Sequence, residues 1–209
     1  MKINHVYQGD CLEVMAGFED KSVDMILTDP PYGMDFQSNR RANKHAKIEG
    51  DKDIKQVEEF ARESYRISKG NTAHYIFCSF HNIDIFKQAF EKHFTIKNIL
   101  VWVKNNTSMG DLLGNFAPKT EFILFLQKGG RKINGTRDAN VFVFARTNNE
   151  LHPTQKPVDL FAYLIQKFSD ISDTILDPFA GSGTTAIAAI RTKRNYILIE
   201  KERQQLTIL

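Results

Sequence analysis

Residues Asp177–Ala186 read DPFAGSGTTA, directly after the apolar run TILD and at the start of the small-residue segment TTAIAAIRT. A glycine-rich turn that ends a strand and opens a helix restricts the fold strongly. Gly181, Gly183 and Ala186 match the spacing G-x-G-x-x-G/A. The glycines permit a tight turn and let a cofactor approach the backbone, and the small third residue allows close helix–strand packing. Glu200 ends the next apolar run, NYILIE, roughly twenty residues on, where an acid can bind ribose hydroxyls. Such a turn usually opens its sheet. Here five predicted strands come before the strand that carries it and one comes after. The nucleotide half therefore comes last, as in a circularly permuted sheet. The N-terminal NHVYQ is the candidate for the strand missing beyond NYILIE.

The rest of the chain fits this frame. Apolar runs alternate with helical patterns, which is the mark of an α/β fold. Predicted strands are NHVYQ, VDMILTD, AHYIFCSF, IKNILVWV, EFILFLQ, TILD and NYILIE, giving a seven-stranded sheet. Predicted helices run over about Cys11–Gly17, through Ile54, Val57, Ala61, Tyr65 and Ser68 up to Gly70, over NIDIFKQAFEKHF, and from Pro157, at a first helical position, through Phe168. Met34–Gly50 reads as a long loop and Lys104–Lys119 as a polar connection. Gln127–Leu151 is rich in Gly, Asn and Arg, with one short apolar run, VFVFA.

Composition excludes several classes. The 209 residues suit one domain, and the formal net charge of +3 permits a polyanionic partner without demanding one. The two cysteines, Cys11 and Cys78, form no metal-binding array, which argues for a reduced cytoplasmic protein without structural zinc. No apolar run reaches membrane-spanning length, and the N-terminal residues lack the apolar stretch of a signal peptide.

The second informative stretch is LTDPPYG at Leu27–Gly33. Prolines cannot extend a central strand, so a buried strand stops here at an acid, two rigid residues and an aromatic. With HPTQKP at His152–Pro157 and DPFAGSGTT at Asp177–Thr185, in that order, the chain resembles the β-class amino-group DNA methyltransferases. The resemblance covers nearly the whole sequence. It implies a Rossmann-like methyltransferase sheet with the catalytic half before the cofactor half, S-adenosylmethionine as cofactor, DNA as partner, a possible homodimer and no metal. It implies one methyltransferase domain over residues 1–209, with 127–151 as a short insert at the position of the target-recognition region. DPPY is the form typical of adenine N6 methylation, whereas cytosine N4 enzymes usually carry Ser first. The N4-cytosine DNA or RNA enzymes are the alternative. A cytosine C5 enzyme would need a nucleophilic cysteine after proline, and neither cysteine has that setting. A nicotinamide-dependent oxidoreductase or a nucleotide-binding module would not need Asp29 and Tyr32 beside the cofactor turn.

The chemistry explains the residue types. The exocyclic amino group of adenine is a poor nucleophile, because its lone pair is delocalised into the ring. Asp29 and the Pro30 carbonyl, each accepting one N–H, would favour a more tetrahedral nitrogen. Pro30 and Pro31 fix the backbone in advance, and Tyr32 offers a face for stacking an extruded base. The resemblance places cofactor contacts at Asp10 and Cys11, at Asp29, at Thr154 and Lys156 near the methionine carboxylate, along Asp177, Pro178, Phe179, Ala180, Gly181, Ser182, Gly183, Thr184 and Thr185, and at Glu200. Asp10 also reads as a helix N-cap, and Lys156 as a solvated lysine at a helix start. Two basic segments are candidates for phosphate contact at the catalytic end. One carries Arg40, Arg41, Lys44 and Lys47, the other Lys128, Arg131, Lys132 and Arg137. The polar connection, with Asn105, Asn106 and Phe116, is a further candidate to face the target, and Trp102 reads as core.

Overall fold

The computed structural model describes residues 1–31, 51–107, 113–145 and 156–201. In chain order its elements are β1 (His5–Gln8), α1 (Cys11–Ala16), β2 (Met25–Thr28), α2 (Asp51–Ile67), β3 (Thr72–Cys78), α3 (Ile83–Glu91), β4 (Thr95–Val103), β5 (Thr120–Lys128), β6 (Val141–Val143), α4 (Val158–Phe168), β7 (Thr174–Asp177), α5 (Thr184–Arg191) and β8 (Asn195–Glu200). They build one sheet in the order β1-β8-β7-β2-β3-β5-β4-β6. This is the permuted α/β sheet expected from the position of the glycine-rich turn. β1 lies parallel to β8, His5 opposite Ile197, and so supplies the strand beyond NYILIE. The described strands number eight rather than seven. The extra one is the short run VFV, which pairs in parallel with β4, Val101 opposite Val141.

Side-chain alternation along the strands creates the layers. Ile26, Ile76, Cys78, Leu124 and Ile197 face α1, α2 and α3, where Met15, Phe60, Ala61 and Phe90 cover them. Met25, Leu27, Tyr75, Phe77 and Ile123 face the other way, onto Leu160, Phe161, Leu164 and Ala188 of α4 and α5. Central strands buried on both faces must read as unbroken apolar runs, which is why MILT and the FILFLQ of β5 show so little alternation. His74, fully buried, takes the Ile26 N–H on Nδ1 at 3.0 Å. Its Nε2 lies 3.0 Å from the Thr72 hydroxyl. Burial holds its pKa down to about 3, so the ring is a neutral tie between β2 and β3.

Two topological facts position the site. The chain leaves β2 toward β3 on one side and leaves β7 toward β8 on the other, while β2 and β7 are parallel neighbours, Met25 opposite Ile175. A crevice forms outside the carboxyl ends of two strands that diverge in this way, and it is where open α/β sheets bind ligands. In addition, β5 runs antiparallel to β3, with Cys78 opposite Phe122 and Thr72 opposite Lys128. Its beginning therefore lies at the crevice edge and its end at the opposite edge. Pro157 sits one position earlier than expected. It is the N-cap of α4, and its extended ψ of 125° delays the helix to Val158.

Candidate functional site

The crevice is built first by a buried carboxylate. Asp177, at the end of β7, accepts from the Thr28 hydroxyl at 2.6 Å and from the Phe179 N–H at 3.1 Å on one oxygen. Its other oxygen accepts from the Thr185 hydroxyl. The pKa is pushed up to about 6 by burial, against the pull of those donors, with the nearby Asp29 charge adding to the rise. Both oxygens are engaged within the protein. Asp177 thus shapes the turn, joining the end of β2, the end of β7 and the first turn of α5.

The glycine-rich turn hangs from this anchor. Pro178 and Ala180 are buried, and the Ala180 N–H donates to the Ile199 carbonyl at 3.0 Å. Gly181 and Gly183 take φ values of 48° and 83°, left-handed conformations that cost a side-chain-bearing residue about 1 kcal/mol or more. A Cβ added at Gly181 would meet no atom of the described residues within 4 Å, so the turn borders open space. Ser182 and Thr184 are buried with their hydroxyls 3.2 Å apart, and Phe179 packs edge-on against Phe60.

Glu200 accepts the Gly181 N–H at 2.8 Å and so fixes the turn to the end of β8. The pairing of Gln8 with Glu200 brings the N-terminal Gly-Asp alongside. Asp10 caps α1 by accepting the Leu12 N–H at 3.0 Å, and its other oxygen lies 3.9 Å from the Lys201 ammonium. Asp10, Gly181 and Glu200, far apart in sequence, thus gather at the carboxyl ends of β1, β7 and β8. The open space beside Gly181 and the two carboxylates suit the ribose and backbone contacts of a nucleoside-bearing cofactor. The Cys11 side chain does not join them. It is 3% exposed, packs in the core, and burial pushes its thiol far up.

Asp29, one residue beyond β2, stands on the other side of the crevice. Its Oδ2 lies 2.7 Å from the Lys156 ammonium. Its Oδ1 is buried and accepts no hydrogen bond among the described residues. Lys156 also pairs with Glu121 at 2.8 Å, and Glu121 with Lys104 at 2.7 Å. Burial raises the Asp29 carboxyl above its ordinary value; Lys156 opposes this and Glu121 adds to it. Burial also pushes Glu121 up, but its two lysines outweigh that and hold it below the ordinary value. The sequence placed Lys156 by resemblance near a cofactor carboxylate. In the structure its ammonium bridges two protein carboxylates, and its side chain is only 11% exposed.

Glu121, Lys104 and Thr28 were not among the residues singled out in the sequence. Their one signal is a charged or hydroxyl residue at the crevice end of an apolar run. Trp102 is core at 1% exposure, with its indole N–H on the Phe144 carbonyl at 2.9 Å. Tyr32, Thr154, and Arg40, Arg41, Lys44 and Lys47 lie outside the described residues.

The second basic segment is not at the catalytic end. Because β5 is antiparallel, the chain leaves it at the far edge, where the Gly130 N–H donates to Asn71 just before β3. Arg131 pairs with Asp170 at 2.8 Å, beside the start of β7. Lys132 is exposed beside it, and Arg137 lines a cavity of about 160 Å³ with Tyr75, Phe125 and Tyr163. The crevice edge instead presents exposed apolar side chains on its loops: Phe80 at 76% exposure after β3, with Leu113 and Phe116 at 101% and 94% between β4 and β5.

Comparison with known proteins agrees with this geometry. Residues 23–209 match the sequence model of the DNA methylase family. The type II methyltransferase M2.MboI of Moraxella bovis is 32% identical over 234 residues, covering 98% of this chain and 85% of the relative. The crystal structure of the M1.HpyAVI–SAM complex superposes with a TM-score of 0.75 at 26% identity, over 98% of this chain and 96% of that one. The cytosine-N4-specific PvuII DNA methyltransferase shares the fold, with a TM-score of 0.79 at 17% identity over 96% of this chain and 82% of that one. The chain belongs to the DNA methylase family of S-adenosylmethionine-dependent amino-group methyltransferases.

Proposed function

We propose that this chain transfers a methyl group from S-adenosylmethionine to the N6 amino group of an adenine turned out of DNA. The observation that carries the reading is the Asp29 carboxylate, with Oδ2 held by Lys156 and Oδ1 buried and without a donor among the described residues. A buried acceptor left unsatisfied costs about 1–3 kcal/mol, more when charged. An incoming amino group would relieve that cost. Asp at position 29, where cytosine N4 enzymes usually carry Ser, supports adenine as the base.

Bound at the Gly181–Thr185 turn, with Glu200 and Asp10 placed for its nucleoside, the cofactor supplies a methyl group on a sulfonium centre. The chain's own residues prepare the other reactant. Asp29 Oδ1 accepts one amino hydrogen and the Pro30 carbonyl the other. This holds the nitrogen lone pair out of conjugation with the ring. Pro30 and Pro31 make that arrangement rigid before the base arrives, so little reorganisation is needed during transfer. The raised pKa of Asp29 also makes it a better acceptor for the proton that the methylated nitrogen must lose.

The exposed Phe80 and Phe116 supply stacking faces for unpaired bases at the same edge. Arg40, Arg41, Lys44 and Lys47 are assigned phosphate contacts. We assign residues 1–209 to one methyltransferase domain, with 127–151 as a short insert where the family carries target recognition, and a homodimer shares base reading between subunits. The test is Asp29→Ala, which should abolish transfer and leave S-adenosylmethionine affinity within about threefold. Retained turnover would refute the assignment.

A further inference from the structure

Four charged side chains alternate in sign across the crevice. Lys104 follows β4, Glu121 is the second residue of β5, Lys156 precedes α4 and Asp29 follows β2. The successive contacts are 2.7, 2.8 and 2.7 Å. Lys104, Glu121 and Lys156 expose only 10, 16 and 11% of their side chains. Stability alone is a poor reason for such a chain, because apolar residues of equal volume often serve as well or better than a buried ion network. Its geometry suits the acceptor instead. The Lys156 ammonium is divided between two carboxylates, and the share that falls on Asp29 depends on how strongly Glu121 draws it back. Glu121 is in turn balanced by Lys104.

We propose that Glu121, backed by Lys104, is a positioning residue for methyl transfer: it restrains Lys156 on one Asp29 oxygen and keeps the other open to the target amino group. This rests on the reading of Asp29 as the amino-group acceptor. Without Glu121 the ammonium moves fully onto Asp29, covers its free oxygen and weakens it as an acceptor. Without Lys104 the opposite happens, since Glu121 then pulls Lys156 away from Asp29. Asp177 from β7 and Cys78 from β3 also face Asp29, and neither changes in these variants.

The test combines single-turnover methylation, S-adenosylmethionine affinity and the pH–rate profile for wild type, Glu121→Gln, Lys104→Met and Asp29→Asn. For Glu121→Gln the single-turnover rate should fall by about 100-fold, the loss typical of a misplaced catalytic group. Its cofactor affinity should stay within about threefold. The acid limb of its pH profile should move to lower pH, because Asp29 loses a negative neighbour and gains a closer lysine. For Lys104→Met the acid limb should move to higher pH. The loss of a merely structural clamp would lower cofactor affinity and melting temperature together with the rate. Unmoved limbs overturn the proposal whatever the rate does, and so does a Glu121→Gln rate within about threefold of wild type. If Glu121→Gln does not fold, the direction of the Lys104→Met shift decides. An inactive Asp29→Asn beside a fully active Glu121→Gln refutes only the positioning role, whereas an active Asp29→Asn refutes the underlying reading of Asp29.

Discussion

Replacing Thr185 with Val tests the buried anchor of the cofactor turn. The two side chains have nearly the same shape and Thr185 is fully buried, so no cavity opens. What is lost is the hydroxyl that donates to Asp177 Oδ2. A hydrogen bond to a charged group contributes about 1.5–3 kcal/mol, a neutral one about 1. Asp177 titrates at about 6 in the folded chain, above the roughly 3.9 of an unfolded Asp. An acid whose pKa is raised by folding costs stability above the folded pKa, and that cost fades as pH falls through it. The substitution raises the folded pKa further, so its penalty is fully expressed at pH 8 and smaller at pH 5. Urea unfolding should show a loss of about 2 kcal/mol at pH 8 and about 1 kcal/mol at pH 5. The pH 8 loss corresponds to a fall of about 4–8 °C in Tm. Equal losses at the two pH values, or none at either, would refute the account of Asp177 as a strained carboxylate held by its donors.

Two further outcomes are expected. Gly181→Ala should cost about 1–2 kcal/mol for its left-handed backbone, yet lower S-adenosylmethionine affinity by at least about tenfold, because its methyl projects into the open space beside the turn. Titration calorimetry showing unchanged affinity would remove the cofactor from that space. Arg131→Ala with Lys132→Ala should leave DNA affinity and its salt slope unchanged, since both residues lie at the far edge of the sheet. Arg40→Ala with Arg41→Ala should reduce the slope by about 2. The reverse pattern would place the DNA on the other edge.

Most of the architecture was legible because it rests on local signals. Buried strands read as apolar runs, Gly17 and Gly70 follow helices α1 and α2, and the late glycine-rich turn implied a permuted sheet that β1 completes beside β8. What stayed hidden depended on long-range pairing. Nothing local in EFILFLQ reveals that β5 runs antiparallel, yet that reversal moves Arg131 and Lys132 away from the crevice. The antiparallel pairing of β5 with β4 sets Glu121 opposite Trp102, two residues before Lys104. Lys104 therefore looked like the first residue of a polar loop, although it is one end of a buried charge network. VFV was too short to count as a strand until β4 was there to pair with it. Asp177 and Asp29 were both recognised from their motifs, but only the structure distinguishes their roles. One has both oxygens engaged within the protein, and the other keeps a buried oxygen without a donor among the described residues.

The central claim is tested most directly by the identity of the methylated base. DNA incubated with the protein and S-adenosylmethionine labelled in its methyl group would be digested to nucleosides and separated. The account predicts label in N6-methyldeoxyadenosine, lost in the Asp29→Ala variant. Label in N4-methyldeoxycytidine, or no label in DNA at all, would contradict it.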